Sequence, residues 1–404
     1  MSVSPLPPLA LYIHVPWCVR KCPYCDFNSH PLHGELPQRA YVDGVIAELE
    51  AGLPEVWGRP LRSIFFGGGT PGLLPVAAVE RLLETVRALF RLDPQAEITL
   101  EANPGRADRE RFAGYRDAGV NRLSLGIQSF DDACLRAIGR IHDAAQARCA
   151  IEAAIEAGFA RLNLDLMYGL PGQTPALALR DLDQALAFGP EHLSRYQLTI
   201  EAHTAFAAAP PPLPDDESLW RMHRDGEERL QQAGYENYEI SAWARPGGQS
   251  RHNLNYWHFG DYLGVGPGAH GKLSRRDADG ELQIVRSRRT AHPAQWLRQV
   301  ADDPRQSLHR LPELSEGERL SEYLMNALRL HAGFTDDAFE ARTGLSSERL
   351  AAALQAPLRQ GLVEHDGDRW RTTAQGRLFL DDLLVGMCSE HHEVDRGDRI
   401  QQVR

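Results

Sequence analysis

Between residues 9 and about 200, short apolar runs alternate with stretches whose apolar residues recur every three to four positions. The runs 11–15, 63–66, 97–100, 123–127, 162–167 and 194–200 predict strands. The stretches 38–52, 75–90, 107–118, 143–157 and 174–187 predict amphipathic helices. Six strand-then-helix units with nearly continuous apolar strands predict a parallel sheet covered by helices. Six units are too few to close an eight-stranded barrel, so the expected fold class is α/β, a partial (β/α)6 TIM-like barrel. Reactive groups then belong on loops leaving the C-terminal strand ends.

Residues 210–214 read as a Pro-rich surface turn, followed by a helix near 215–233 and an extended segment at 238–242. From about 312 the texture changes to helices with short connections, with Thr335 and Ser346 as N-caps and Glu348 in the turn after the latter. Residues 362–365 and 369–372, on either side of Asp366-Gly367, predict a hairpin. Helices followed by a hairpin predict a C-terminal α+β winged-helix-like domain. Acidic side chains outnumber basic ones across 313–390, which favours packing or docking over DNA binding. The expected organisation is a barrel with extension over 1–311, the winged-helix-like domain over 312–390 and a polar tail over 391–404.

Composition narrows the function classes. Hydrophobic residues are 43 % and charged residues 25 %, which excludes collagen-like, coiled-coil and disordered chains. No apolar run approaches the roughly 18–20 residues a bilayer span needs. The N-terminus lacks a basic n-region and a small-residue cleavage site, so a cytoplasmic location is expected. A net charge of −11 works against nucleic acid as a partner.

Three of the six cysteines crowd into Cys18-Val-Arg-Lys-Cys22-Pro-Tyr-Cys25, directly after the first predicted strand. In a reducing compartment such clustering points to metal or redox chemistry. Three thiolates fit a [4Fe–4S] cubane, which usually takes four, with one iron left open to an outside ligand. A zinc site completed by His14 or His30 is the alternative. Gly67-Gly68-Gly69-Thr70-Pro71 follows the second strand and lets backbone approach a ligand closely. Glu101 and Gln128 end the third and fourth strands, Asp165 interrupts the apolar fifth, and Arg140 offers a planar fork to a carboxylate.

C-x3-C-x2-C on this loop resembles the radical S-adenosylmethionine (SAM) superfamily, and the resemblance covers nearly the whole chain. It implies that SAM chelates the open iron and that an electron from the cluster cleaves its sulfonium to a 5′-deoxyadenosyl radical. It implies that Gly68, Gly69 and Thr70 hold the SAM amino group, Glu101 and Arg140 address its amino-acid end, and Gln128 and Asp165 its ribose. Tyr12 and Tyr24 match positions beside the cluster and adenine.

The remaining motifs are similar to the branch with the HemN-type oxygen-independent coproporphyrinogen III dehydrogenase and the HemW-type heme chaperones. Phe27 stands where the HemN type carries a further cysteine, and only 17 residues precede Cys18 where that type has a longer arm. Both departures match the HemW type. His252-Asn253-Leu254-Asn255-Tyr256-Trp257 matches its HNxxYW motif, which implies heme binding by His252, Asn253, Tyr256 and Trp257. Imidazole is a common axial ligand of heme iron, and aromatic rings pack on the macrocycle.

The resemblance therefore implies a heme chaperone with a SAM-coordinated cluster. It would pass heme to an acceptor hemoprotein, such as a membrane-bound one of respiration, working peripherally at the membrane on delivery. A flavodoxin or ferredoxin would supply electrons wherever SAM is cleaved. The alternatives are a coproporphyrinogen III dehydrogenase and, third, a tRNA-modifying radical SAM enzyme. Gly264-Val-Gly266-Pro-Gly268 imitates a dinucleotide fingerprint, but its third glycine comes too early.

Overall fold

The helical periods produce helices Gln38–Gly52, Val76–Leu89, Ala144–Glu156 and Pro175–Ala187. These belong to a computed structural model that describes residues 5–105 and 108–389, so the tail at 391–404 lies outside the described residues. Local chemistry sets two of the starts. Asp143 accepts the Gln146 N–H while Gln146 bonds back to the Asp143 N–H. Thr174 caps a helix whose first residue is Pro175, where a missing N–H costs nothing.

Strands Leu9–Val15, Leu61–Gly68, Leu92–Ala102, Arg122–Gln128, Arg161–Tyr168 and His192–Gln197 lie side by side in chain order, all parallel. Alternate residues of a strand face opposite ways. Leu11, Ile13, Ile64, Phe66, Leu100, Leu123 and Leu164 belong to the main apolar core beneath the helices. On the other face sit Ser63, Glu97, Thr99, Arg122, Ser124, Asn163 and His192, all buried. The apolar strands expected from the sequence are thus apolar on the helix side only, and the concave face is polar.

That face is closed by its own hydrogen bonds. Asn163 Nδ2 donates to Ser124 Oγ at 2.8 Å and Asp165 Oδ1 at 2.7 Å, and His192 bridges Asn163 Oδ1 (2.6 Å) to the Tyr238 hydroxyl (2.8 Å). Burial pushes the His192 imidazole well below its usual range, so it stays neutral.

A seventh parallel strand, Asp261–Val265, pairs with Leu9–Val15 on its free side, and antiparallel arms extend the sheet to twelve strands. The glycine-rich run 264–268 ends this strand: Gly266 adopts φ 92° and donates its N–H to the buried Glu48 at 2.7 Å.

Residues 248–257 close the N-terminal end of the barrel and form its floor. Ser250 caps the helix Arg251–Trp257. The buried Glu97 carboxylate anchors the floor: it accepts the His252 N–H at 3.0 Å and lies 3.6 Å from Arg122 and 3.3 Å from Arg161. Those two arginines also donate to the Gly248 and Gln249 carbonyls, at 3.1 and 3.0 Å.

The C-terminal module packs helices Glu316–Ala327, Asp336–Thr343 and Ser347–Arg359 against a three-stranded antiparallel sheet. Its core around Tyr323, Phe339, Leu350 and Trp370 is continuous with Phe259, Leu282 and Ile284 of the barrel extension. Thr335 caps as expected; Ser346 holds the N-cap position but its side chain makes no cap bond, and Glu340 accepts the Ser347 N–H at 2.8 Å. Among the described residues no helix is long and apolar enough to cross a membrane.

Candidate functional site

The cysteine loop leaves the C-terminal end of the first strand and is pinned at its ends by backbone bonds, His30 N–H to Pro16 O (2.7 Å) and Leu32 N–H to Cys18 O (2.8 Å). Cys18, Cys22 and Cys25 are half-buried free thiols. Partial burial, outweighing bonds from Thr70 and Ser29, pushes the Cys18 and Cys25 thiols up. A bound metal reverses that preference by taking the thiolate.

One chain of polar contacts spans the mouth. The Arg140 guanidinium lies 3.7 Å from Cys22 Sγ and donates to Asn103 Oδ1 at 2.6 Å and the Gly126 carbonyl at 2.5 Å. Asn103 donates to Thr70 Oγ1 at 3.1 Å, and Thr70 donates to Cys18 Sγ at 3.3 Å. Asn103 was missed in the sequence. It lies two residues past Glu101, just beyond the strand end at Ala102.

Glycine is required at two places in the adjoining loop. A Cβ on Gly68, at φ +112°, would meet the His14 ring at 2.6 Å, and one on Gly69 would meet the Trp17 carbonyl oxygen at 2.7 Å. The loop can therefore approach the cysteine loop with backbone only.

Beneath the mouth two carboxyl groups face each other. Burial, then the Asp165 charge, pushes Glu101 up to about 8, although the Gly68 N–H donates to it. Burial also raises Asp165, opposed by bonds from Asn163, Ser194 and Ser124. A carboxyl group raised by desolvation and by a neighbouring carboxylate suits a cation, and an ammonium or sulfonium supplies one.

The Glu101 shift has a consequence for stability. The folded protein holds a proton that the unfolded chain releases above its ordinary carboxyl range. This contribution is complete below that range and is lost as pH rises through the folded value of about 8. Without ligand, urea midpoints should fall for the wild type relative to Glu101→Gln between about pH 5 and about pH 8.5. Parallel profiles would refute the shift.

Gln128 closes the fourth strand in the left-handed region, φ 69°, and accepts the Tyr196 hydroxyl at 2.8 Å. A left-handed non-glycine residue is held by its surroundings at a cost of order 1–3 kcal/mol and is common at ligand sites. Tyr24 packs against Phe206 at 6.4 Å beside the cysteines. The Tyr12 hydroxyl meets His14 Nδ1 at 3.0 Å, and His14 Nε2 meets the Asn28 carbonyl at 2.9 Å. His30 is engaged with Asn28 Oδ1 at 3.1 Å. Both ring nitrogens of His14 are therefore engaged, and one ring nitrogen of His30. Among the described residues, moreover, no three His, Cys, Asp or Glu side chains converge on one metal ion. Three thiol donors on one loop, one for each of three irons, suit an iron–sulfur cluster.

The motif 252–257 stands apart from this mouth, on the floor helix. His252 is 1 % exposed. Its Nδ1 pairs with Ser63 Oγ at 2.8 Å, its ring stacks on Phe65 at 4.8 Å, and its Nε2 is buried without a partner. Burial pushes the imidazole down to about 3, so it is neutral. Tyr256 packs edge-on to it at 5.0 Å; Trp257 lies under the Arg329 guanidinium at 4.4 Å; the Asn253 N–H bonds to Ser250 Oγ at 3.3 Å. A column of rings connects floor and mouth: His252 on Phe65, Phe65 on Tyr12 at 6.3 Å, and Tyr12 bonded to His14.

Comparison with known proteins places these features in context. The Radical SAM superfamily model matches residues 12–184, and that of the HemN C-terminal domain matches residues 314–379. The chain is 45 % identical over 385 residues to the heme chaperone HemW of Escherichia coli (strain K12), covering 95 % of this chain and 99 % of that one. It is also 45 % identical over 389 residues to HemW of Haemophilus influenzae, again covering 95 % and 99 %. A solved structure of coproporphyrinogen III oxidase (HemN) from Escherichia coli, a radical SAM enzyme, superposes with a TM-score of 0.79. It has 24 % identity and covers 96 % of this chain and 91 % of that one, a likeness of fold.

Proposed function

The chain belongs to the HemW family of the radical SAM superfamily, and from that premise we propose that it binds heme and hands it to an acceptor hemoprotein. The observation that carries the reading is His252. A ligating histidine is normally oriented through its second ring nitrogen, and here Ser63 holds Nδ1 while Nε2 is left over. The imidazole is neutral, the state that binds a metal. Tyr256 and Trp257 supply ring surface beside it. His252 is buried, so heme reaches Nε2 only where the packing around that atom opens.

Cys18, Cys22 and Cys25 would hold a [4Fe–4S] cluster, with SAM completing its coordination. Such a cluster supplies single electrons to the sulfonium. Gly68, Gly69 and Thr70 would bind the SAM amino group, which would sit near Glu101. Arg140 would neutralise its carboxylate while keeping its bonds to Asn103 and Gly126. Asp165 and Gln128 would accept from the ribose, and Tyr12 and Tyr24 would flank cluster and adenine. The protein would work in the cytoplasm and peripherally at the membrane. Its acceptor would be a hemoprotein such as a membrane-bound respiratory one, and a flavodoxin or ferredoxin its electron donor.

The test is a heme titration of cluster-loaded protein with and without SAM, beside anaerobic incubation with coproporphyrinogen III, SAM and reductant. Stoichiometric heme binding without protoporphyrinogen IX is the expected outcome. Catalytic turnover of coproporphyrinogen would replace this reading with the dehydrogenase. His252→Ala should weaken heme at least about tenfold or shift its Soret band, as loss of an axial ligand does. An unaltered titration would exclude His252 from the heme site.

A further inference from the structure

A cleft of about 390 Å³ opens on the outer side of the barrel floor, lined chiefly by Gln95, Glu97, Arg116, Asn121, Arg161 and Arg251. In a chain of net charge −11, three guanidinium groups share this one cleft. We propose that it is a carboxylate-binding pocket that takes the propionate edge of heme, an inference that rests on the heme-chaperone reading above.

The charge balance favours an anion. Glu97 is the only acid in the lining, and Arg122 and Arg161 already face it at 3.6 and 3.3 Å. Glu191 pairs with Arg161 at 3.3 Å, and Asp93 pairs with Arg62. Among the described residues Arg116 and Arg251 make no ion pair, and the Asp93 carboxylate that feels the Arg251 charge is the one paired with Arg62. Each spends one N–H on a carbonyl, Arg116 Nε on Gly158 at 3.5 Å and Arg251 Nη1 on Gln95 at 2.7 Å. A guanidinium carries five N–H groups in a fixed fork, so both are oriented and keep donors to spare. Two such forks suit carboxylates.

Position ties the cleft to the motif. Arg251 directly precedes His252, and Glu97 contacts both sides of the floor, facing the cleft while accepting the His252 N–H at 3.0 Å. The cleft is too small for a whole porphyrin and suits its carboxylate edge, leaving the ring outside it.

The experiment titrates full-length, cluster-loaded protein with heme and with heme dimethyl ester, for wild type and for the Arg116→Ala/Arg251→Ala double variant. Both side chains are exposed, so the fold should survive, with iron content and circular dichroism as checks. Arg251→Gln, which can still bond to Gln95, removes charge alone. Wild type should bind heme about tenfold or more tightly than the ester, and the double variant should bind both equally and weakly. Arg251→Gln should lose part of that preference. A wild type that ignores esterification, or variants that keep the full preference, would overturn the pocket while leaving heme binding intact. A wild type that binds neither porphyrin would overturn the heme-chaperone reading as well.

Discussion

Serine at Cys18, Cys22 or Cys25 is expected to leave the protein colourless and to lower its iron from about four atoms per chain to near none. Thiolate sulfur is the soft donor an iron–sulfur cluster requires, and a serine hydroxyl stays protonated at neutral pH. Each thiol serves a different iron, so losing one strips that iron of its protein donor, besides the iron reserved for SAM. The loop itself should survive, because the backbone bonds at Pro16, Cys18 and Cys22 involve no sulfur. Iron analysis and visible absorption after anaerobic reconstitution decide the matter, with circular dichroism as the control for folding. Full iron in all three variants would remove these residues as ligands.

The second large effect falls at the other end of the barrel. Glu97→Ala should destabilise the protein by about 3–5 kcal/mol, the usual result of removing one partner from a buried ion pair. Arg122, 2 % exposed, would lose its counter-charge, and the His252 N–H its acceptor. Urea unfolding measures the loss, and hydrogen exchange across 248–257 should rise with it. Glu97→Gln, which keeps an acceptor and drops the charge, should fall between. A loss below about 1 kcal/mol in the alanine variant, the range of exposed pairs, would mean the floor is held by something else.

Much of this molecule could be read before any coordinates. The helix starting at Gln38 and the one starting at Pro175 follow from apolar spacing, because each buries one stripe on the sheet. The strand Asp261–Val265 could not be found that way: it is short, carries glycine, and pairs with a strand some 250 residues earlier. The polar concave face was only partly visible: Asp165 stood out in its apolar strand, but Asn163 sits among leucines and periodicity records only the leucines. Cysteine spacing and glycine placement are local, and so were visible. The contact of His252 with Glu97 joins residues 155 apart, and no local pattern reports that the motif belongs to the floor. Asn103 lies just beyond the strand end at Ala102, where strand alternation gives no guide.

Strand Asp261–Val265 has a further meaning for how the protein is made. The first strand emerges from the ribosome with the cysteine loop, but its outer neighbour follows about 250 residues later, tens of seconds at roughly 5–20 residues per second. Throughout that interval Leu9–Val15 presents an unsatisfied edge to any other chain. An unpaired edge of this kind makes the nascent half-barrel prone to aggregate. A chaperone that shields this edge during synthesis would suppress that aggregation.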